Sequence, residues 1–201
     1  MVALVRYLSH PEVCIDPAVP VPQWHLSAAG QARVRALIAA GWLTGTTRIV
    51  SSAETKAVET AEPIAEALGA ALEVRPAMHE NDRSATGFLP PAEFQRVADR
   101  FFAEPGQSIR GWERAVDAQH RIAREVDAVL AGGCDGDLLL VGHGGVGTLL
   151  CCHLAGLPIA RDHDQPGNGG GNYFTFETEN RRLRHGWRPM EDVPDEAEPL
   201  P

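Results

Sequence analysis

The chain has 201 residues, of which 44% are hydrophobic and 22% charged, and its formal net charge at pH 7 is -9. This size and composition are typical of one soluble domain with a sizeable buried core. The negative charge argues against a general nucleic-acid binder. No segment approaches the roughly 18 uninterrupted apolar residues of a membrane span, and the first residues lack the basic and apolar regions of a signal peptide. We therefore expect a cytoplasmic protein without a membrane or nucleic-acid partner.

Short apolar runs of strand length alternate with helical patterns along most of the chain. The predicted strands, in chain order, are MVALVRYLSH, TRIVSS, ALEVRP and DLLLVGHGG, followed by a hairpin of GNYFTFETE and RRLRHGW. The predicted helices are LSAAGQARVRALIAAGWL, AETKAVETAEPIAEALG, EFQRVADRFFAE, GWERAVDAQHRIAREVDAVLAG and VGTLLCCHLAGL. This alternation predicts a three-layer α/β/α sandwich with a mostly parallel central sheet.

The chain is expected to form a single domain over residues 1–188, since it has no internal repeat and no strong linker. Residues 189–201 are acidic and rich in proline, which indicates a disordered tail. The cysteines form no C-x-x-C pair and no metal-binding spacing. Cys151 and Cys152 lie in an apolar helical segment, where we interpret them as small buried hydrophobic side chains. We expect no metal and no cofactor.

Polar side chains follow the predicted strands at the points where the strands end. In an open parallel sheet, ligands bind beyond the carboxyl ends of the strands. Two histidines, an acid and two cations from four distant segments are expected to converge there, namely His10, His143, Glu80, Lys56 and Arg83, with Ser9 directly before His10. The glycines after His143, beginning with Gly144, would let a ligand approach the backbone and would leave helix N–H groups free for an anion. Five further histidines are interpreted as structural, namely His25, His120, His153, His163 and His185.

Several of these segments, taken together in chain order, resemble the histidine phosphatase superfamily, also called phosphoglycerate mutase-like. That family begins with a strand followed by Arg-His-Gly-Glu. YLSHPEV is similar to it, with Ser9 at the arginine, His10 at the nucleophilic histidine and Glu12 at the glutamate. WHLSAAGQARVRAL resembles the segment that opens the family's first helix. The resemblance covers roughly residues 2 to 155.

Three later blocks extend the likeness. SSAETKAVETAEPIAEALG resembles the stretch that carries the family's second arginine, with Lys56 at that position. MHEND is similar to the region of the catalytic acid, which maps onto Glu80. LLLVGHGGVGTLL matches the second histidine block, with His143 at the histidine.

The resemblance implies phosphoryl transfer through a phosphohistidine on His10, without metal or cofactor. Glu80 would serve as general acid and then general base, and a protonated His143 would steady the phosphoryl oxygens. The implied partner is a small phosphorylated substrate, held through Ser9, Lys56, Arg83 and Gly144. The resemblance also implies that a helical insertion at about residues 84–112 caps the site and that Phe88 contacts the substrate.

Two departures from the family pattern bear on activity. Ser9 and Lys56 stand where the family has arginines, and neither offers the planar fork of donors with which a guanidinium binds phosphate. Arg83, three residues beyond Glu80, is a candidate to compensate, and a surface arginine in a polar loop is the alternative. The glycine-rich QPGNGGGNY segment, residues 165–173, reads either as a flexible connector or as a pocket lining of backbone N–H groups.

Three functions remain open at this point. The first is a phosphomonoesterase for a small phosphorylated metabolite. The second is a mutase of the phosphoglycerate mutase type, which would return the phosphoryl group to its substrate. The third is a phospholigand-binding or regulatory domain in which Ser9 and Lys56 have abolished turnover. A homodimer is compatible with the exposed sheet edges and helices.

Overall fold

One mixed sheet organises the part of the chain that the computed structural model describes, residues 3–133 and 135–192. The strands are β1 (Leu4–Ser9), β2 (Thr46–Ser52), β3 (Ala71–Arg75), β4 (Asp137–Gly142), β5 (Asn172–Glu177) and β6 (Leu183–Pro189). The α-helices are α1 (Ala28–Ala40), α2 (Thr55–Leu68), α3 (Pro91–Ala103), α4 (Ala115–Ala131) and α5 (Gly144–Ala155).

The strand order across the sheet is β3-β2-β4-β1-β5-β6. Strands β1 to β4 pair in parallel, and β5 runs antiparallel to β1 and forms the predicted hairpin with β6. The predicted mostly parallel sheet is confirmed. Because β4 lies between β2 and β1, the carboxyl ends of these three strands are adjacent, which is the edge where an open sheet binds ligands.

The hydrophobic side chains form two clusters, one on each face of the sheet, which confirms the three-layer architecture. Strands β1 and β4 are buried along nearly their whole length because helices cover both faces. Cys151 and Cys152 are buried in α5, as the sequence predicts, whereas Cys134 lies outside the described residues. Over the described ranges, no helix is long and apolar enough to cross a membrane.

Helix α4 begins later than its pattern predicts. The predicted helix starts at Gly111, but the observed one starts at Ala115. Residues Ile109–Gly111 form a short 3-10 turn in which Arg110 has a φ of 55° and Gly111 a φ of 83°. Two successive residues with positive φ cannot continue a right-handed helix, so the chain turns before α4 begins.

The first helix is pressed against the loop that follows β1. Ser27 caps α1 by accepting a hydrogen bond from the N–H of Gly30 (3.0 Å) and donates its own N–H to the carbonyl of Glu12 (2.9 Å). A Cβ at Gly30 would lie 2.3 Å from that carbonyl oxygen, so only glycine allows this approach. The loop after His10 is thereby fixed by the start of α1.

The C-terminal boundary of the domain differs from the predicted one at residue 188. Strand β6 extends to Pro189, Met190 is only 1% exposed, and Tyr173 donates its hydroxyl to the carbonyl of Asp192 (2.9 Å). The burial of Met190 in the core fixes residues 189–192, the first part of the predicted tail, to the fold. The rest of the predicted tail, residues 193–201, lies outside the described residues.

Candidate active site

The two histidines predicted to be catalytic lie side by side at the carboxyl edge of the sheet. His10 follows β1 and His143 follows β4, and the parallel pairing of the two strands sets Ser9 opposite Gly142. The backbone N–H of His10 donates to the carbonyl of Gly142 (2.9 Å). The ring centroids of His10 and His143 are 5.3 Å apart, in an edge-to-face arrangement.

The imidazole of His10 is held with one nitrogen available. Its Nδ1 lies 2.8 Å from the carbonyl oxygen of Pro11. A carbonyl only accepts hydrogen bonds, so Nδ1 carries the proton and Nε2 keeps its lone pair. Burial, reinforced by the ammonium charge of Lys56, lowers the pKa of His10 to about 4. The ring is therefore neutral near pH 7, which is the state in which Nε2 is a nucleophile.

The state of His143 differs from the protonated form that the resemblance implies. The side chain is fully buried, and burial lowers its pKa to about 3 despite the nearby carboxylates of Glu54 and Glu80. Its Nε2 lies 2.8 Å from Ser52 Oγ, and its Nδ1 is buried without a hydrogen-bond partner in the described residues. His143 is thus a neutral imidazole, because removing an imidazolium from water costs more than these carboxylates return.

Lys56 lies at the site but is already paired. Its Nζ forms an ion pair with the carboxylate of Glu54 and donates to the carbonyl of Val21 (2.9 Å). The side chains of Lys56 and Glu54 are only 3% and 8% exposed. Burial alone would raise the pKa of Glu54, but the charge and hydrogen bond of the Lys56 ammonium and the backbone N–H of Glu80 hold it below its usual range. No sequence pattern singles out Glu54, although it lies two residues before Lys56 in the SSAETK segment.

Glu80 lies against the N-terminus of α5. Its Oε2 accepts the N–H of Gly145 (3.0 Å), and its Oε1 accepts the N–H groups of Val146 (2.8 Å) and Asn81 (3.0 Å). A Cβ at Gly145 would come within 2.7 Å of Oε1, so a side chain there would displace the carboxylate of Glu80. Glu80 therefore occupies N–H groups at the start of α5, where the sequence predicted phosphate binding. Gly144, the first residue of the helix, provides a further N–H there.

A partly buried arginine that no sequence pattern singles out holds the backbone around Glu80. Arg121 of α4 donates to the carbonyl oxygens of Ala77 and His79 (2.9 Å each), and it pairs with the carboxylate of Glu113 (2.7 Å). Glu113 in turn accepts the N–H of Asp82 (3.0 Å). The segment that carries the acid is therefore fixed on both sides. No local motif announces this arrangement, since Arg121 reads as one of several charged residues on an amphipathic helix.

The glycine-rich segment contacts the nucleophile's own backbone. Gly169, Gly170 and Gly171 all have positive φ values, and the N–H of Gly171 donates to the carbonyl of His10 (3.0 Å). A Cβ at Gly170 would lie 2.4 Å from that carbonyl oxygen. The segment is therefore fixed against the backbone of His10, and a pocket lining of its N–H groups stays a prediction.

Ser9 is fully buried at the end of β1. Its hydroxyl donates to Gln165 Oε1 (2.7 Å) and accepts the backbone N–H of Asn172 (3.0 Å). The position where the resembled family has an arginine is therefore filled by a network of neutral polar groups. These partners come from the glycine-rich segment that begins at Gln165.

Arg83 lies over aromatic rings of the predicted insertion. Its guanidinium carbon is 4.9 Å from the centre of the Phe94 ring and 5.9 Å from that of Trp112. Within the described residues it forms no ion pair, and its charge contributes to lowering the pKa of His10. Phe88 contacts the ring of Trp24, with centroids 6.0 Å apart. Substrate contact by Phe88, capping by residues 84–112 and phosphate binding by Arg83 stay predictions.

Comparison with solved structures finds the same fold in other proteins, some of which are phosphatases. Bacillus stearothermophilus YhfR matches with a TM-score of 0.78 and 18% identity, covering 95% of this chain and 98% of its own. Mycobacterial glucosyl-3-phosphoglycerate phosphatase in complex with inorganic phosphate matches with a TM-score of 0.76 and 21% identity, covering 94% and 99%. Entamoeba histolytica phosphoserine phosphatase matches with a TM-score of 0.73 and 15% identity, covering 94% and 98%. At these identities the likeness shows the fold.

Comparison with curated proteins finds no match. Residues 21–186 match the histidine phosphatase superfamily (branch 1), a region that includes Glu54, Lys56, Glu80 and His143 but begins after His10. This region is most of the chain, and its fold agrees with the solved structures. The chain belongs to the histidine phosphatase superfamily, branch 1.

Proposed function

We propose that this protein is a metal-independent phosphomonoesterase that hydrolyses a small phosphorylated metabolite through a phosphohistidine on His10. The observation that carries the proposal is the state of His10, which is neutral, fixed through Nδ1 and left with a free Nε2. The solved structures of similar fold include phosphatases for glucosyl-3-phosphoglycerate and phosphoserine, which favours a phosphatase over a mutase.

In the first step His10 Nε2 attacks the phosphorus of the monoester in line with the ester oxygen. The N–P bond forms as the P–O ester bond breaks, and the leaving oxygen takes a proton from the carboxyl group of Glu80. The backbone N–H groups that fix Glu80 keep this group at the start of α5, directly after His143.

In the second step a water molecule attacks the phosphohistidine. The Glu80 carboxylate takes a proton from that water, the N–P bond breaks, and inorganic phosphate leaves with His10 returned to its neutral form. The charges on the phosphoryl oxygens face Lys56, Arg83 and the N–H of Gly144. Such fixed donors and cations supply most of the acceleration in phosphoryl transfer.

The proposal predicts that the wild-type protein hydrolyses an aryl phosphate and that His10→Ala lowers kcat by at least about 10³-fold, because covalent catalysis is lost. Release of the aryl alcohol is followed by absorbance between about pH 5 and pH 8, where His10 remains neutral. His120→Ala, which removes an exposed histidine of α4, is the matched control and is expected to retain activity. Turnover that survives in His10→Ala would show that another group is the nucleophile.

A second candidate is a phospholigand-binding domain with little or no turnover. It is favoured by one observation, that Lys56 is neutralised by Glu54 inside the site. In this case wild type and His10→Ala would be equally inert, while inorganic phosphate would still raise the melting temperature of the wild-type protein.

A further inference from the structure

Gln165 lies at the candidate active site, but the proposed reaction gives it no role. It lies in the loop between α5 and β5 and is partly buried. Its backbone N–H donates to Asp164 Oδ1 (2.8 Å), and the same oxygen accepts the hydroxyl of Thr148 in α5 (2.9 Å). The loop is thereby fixed to the helix that begins directly after His143.

The side-chain amide of Gln165 lies with its oxygen toward Ser9 and Asn172. Its Oε1 accepts hydrogen bonds from the Ser9 hydroxyl (2.7 Å) and from Asn172 Nδ2 (3.0 Å). With the Asn172 amide in its observed orientation, exchanging the oxygen and nitrogen of the Gln165 amide would set two donors, Gln165 Nε2 and Asn172 Nδ2, against each other. The oxygen is therefore committed to the protein. The nitrogen Nε2 donates to no partner among the described residues.

This free donor lies beside the start of α5. A Cβ at Gly144 would come within 2.0 Å of Gln165 Nε2, so the amide lies directly against the main chain of that glycine. Ser9 precedes His10 and Gly144 follows His143, and the two imidazole rings are 5.3 Å apart. The amide nitrogen thus lies between the residues that flank the two histidines.

We propose that Gln165 is a binding residue for the phosphoryl group, donating from Nε2 to a phosphoryl oxygen, and that Ser9 is a positioning residue that holds the amide in this orientation. The inference rests on the proposed function for the location of the phosphoryl group. An N–H donor and an anionic oxygen form a strong hydrogen bond. The pair of Ser9 and Gln165 thereby supplies a neutral hydrogen-bond donor at the end of β1, where the resembled family has an arginine.

The first test measures the affinity for inorganic phosphate by isothermal titration calorimetry. Gln165→Met removes the donor at similar length and is expected to weaken binding by at least tenfold, the effect of losing one hydrogen bond to a charged group. Gln165→Glu keeps the acceptor for Ser9 but adds a negative charge, and a larger loss is expected. Gln107→Glu, on an exposed residue, makes the same change of charge as a control and is expected to leave affinity unchanged. Wild-type affinity in both Gln165 variants would overturn the inference.

The second test asks whether Ser9 acts through Gln165. Ser9→Ala is expected to raise KM for an aryl phosphate severalfold with a smaller effect on kcat, because the amide loses one of its two fixing donors. In the Gln165→Met background the same change is expected to add little to KM, which is the non-additivity of coupled residues. Fully additive effects would show that Ser9 does not position Gln165. Ser9→Thr, which keeps the hydroxyl, is expected to restore most of the affinity.

These outcomes are distinguishable from failure of the proposed function. If the protein shows no turnover but Gln165→Met weakens phosphate binding, the binding role stands and the phosphomonoesterase proposal fails. If wild type turns over substrate and both Gln165 variants keep the wild-type KM and phosphate affinity, the reverse holds. Far-UV circular dichroism and thermal melting of each variant separate a loss of binding from a loss of folding.

Discussion

Glu54→Gln is expected to destabilise the protein by about 3–5 kcal/mol, because it leaves the buried ammonium of Lys56 without its counter-charge. Both side chains of the ion pair are buried, since Lys56 is 3% and Glu54 8% exposed. The variant keeps an acceptor for the N–H of Glu80, which Glu54 Oε1 bonds at 2.9 Å, so the change is mainly one of charge. Urea unfolding near neutral pH measures the effect. The matched control is Glu62→Gln, on the exposed side of α2, which is expected to change the stability little.

Inorganic phosphate is expected to restore part of this stability. An anion bound between the two histidines would supply the counter-charge that Lys56 has lost, so phosphate raises the melting temperature of Glu54→Gln more than that of the wild-type protein. The double variant Glu54→Gln/Lys56→Met removes both charges and is expected to be more stable than Glu54→Gln alone. Equal stability of the wild-type protein and Glu54→Gln, with equal responses to phosphate, would contradict a role for this pair in the site.

The protein is expected to lose stability steeply as the pH falls below about 6.5, the ordinary pKa of an unfolded histidine. The folded protein keeps His10 and His143 neutral down to about pH 4 and about pH 3, so in this range the unfolded chain binds more protons. Each buried histidine therefore removes stability by up to about 1.4 kcal/mol per pH unit. Glu54 differs from the histidines because its charged form is the one that the fold stabilises. Its contribution to stability is present above about pH 4.5 and is lost as the pH falls toward 2.

Urea unfolding between about pH 6.5 and pH 5 isolates the two histidines, because Glu54 titrates below this window. His10→Gln is expected to reduce the slope of the unfolding free energy against pH by the contribution of one titrating group, up to about 1.4 kcal/mol per pH unit. His153→Gln, on an exposed histidine, is expected to leave the slope unchanged. If both His10→Gln and His153→Gln kept the wild-type slope, His10 would not be held neutral in the fold.

The fold and the convergence of the candidate residues were predictable because they depend on local patterns. Apolar runs defined the strands, and the residues after them, including His10 and His143, had to lie at the carboxyl edge of a parallel sheet. The placement of β4 between β2 and β1 did not follow from any local pattern, because pairing between distant strands depends on the whole chain. That placement is what brings the two histidines to 5.3 Å.

The chemistry of the individual side chains was harder to predict than their position. The neutral state of His143 results from complete burial, which the sequence does not show. The role of Glu54 depends on an ion pair within a buried turn, where a polar pattern predicts a solvated residue. The contact of Ser9 with Gln165 joins residues 156 positions apart, so only the folded chain reveals what replaces an arginine at the end of β1.

The most direct test of the central claim is to trap the phosphoryl group on His10 in Glu80→Gln. An aryl phosphate has a good leaving group, so the first step needs little help from an acid, whereas attack by water on the phosphohistidine lacks its base. After rapid quenching at neutral or alkaline pH, mass spectrometry of the peptide that contains His10 is expected to show an acid-labile phosphoryl group approaching one per chain. Glu62→Gln should show the low wild-type level. Turnover of the aryl phosphate by the wild-type protein, with no phosphoryl group on His10 in Glu80→Gln at any time point, would contradict the account.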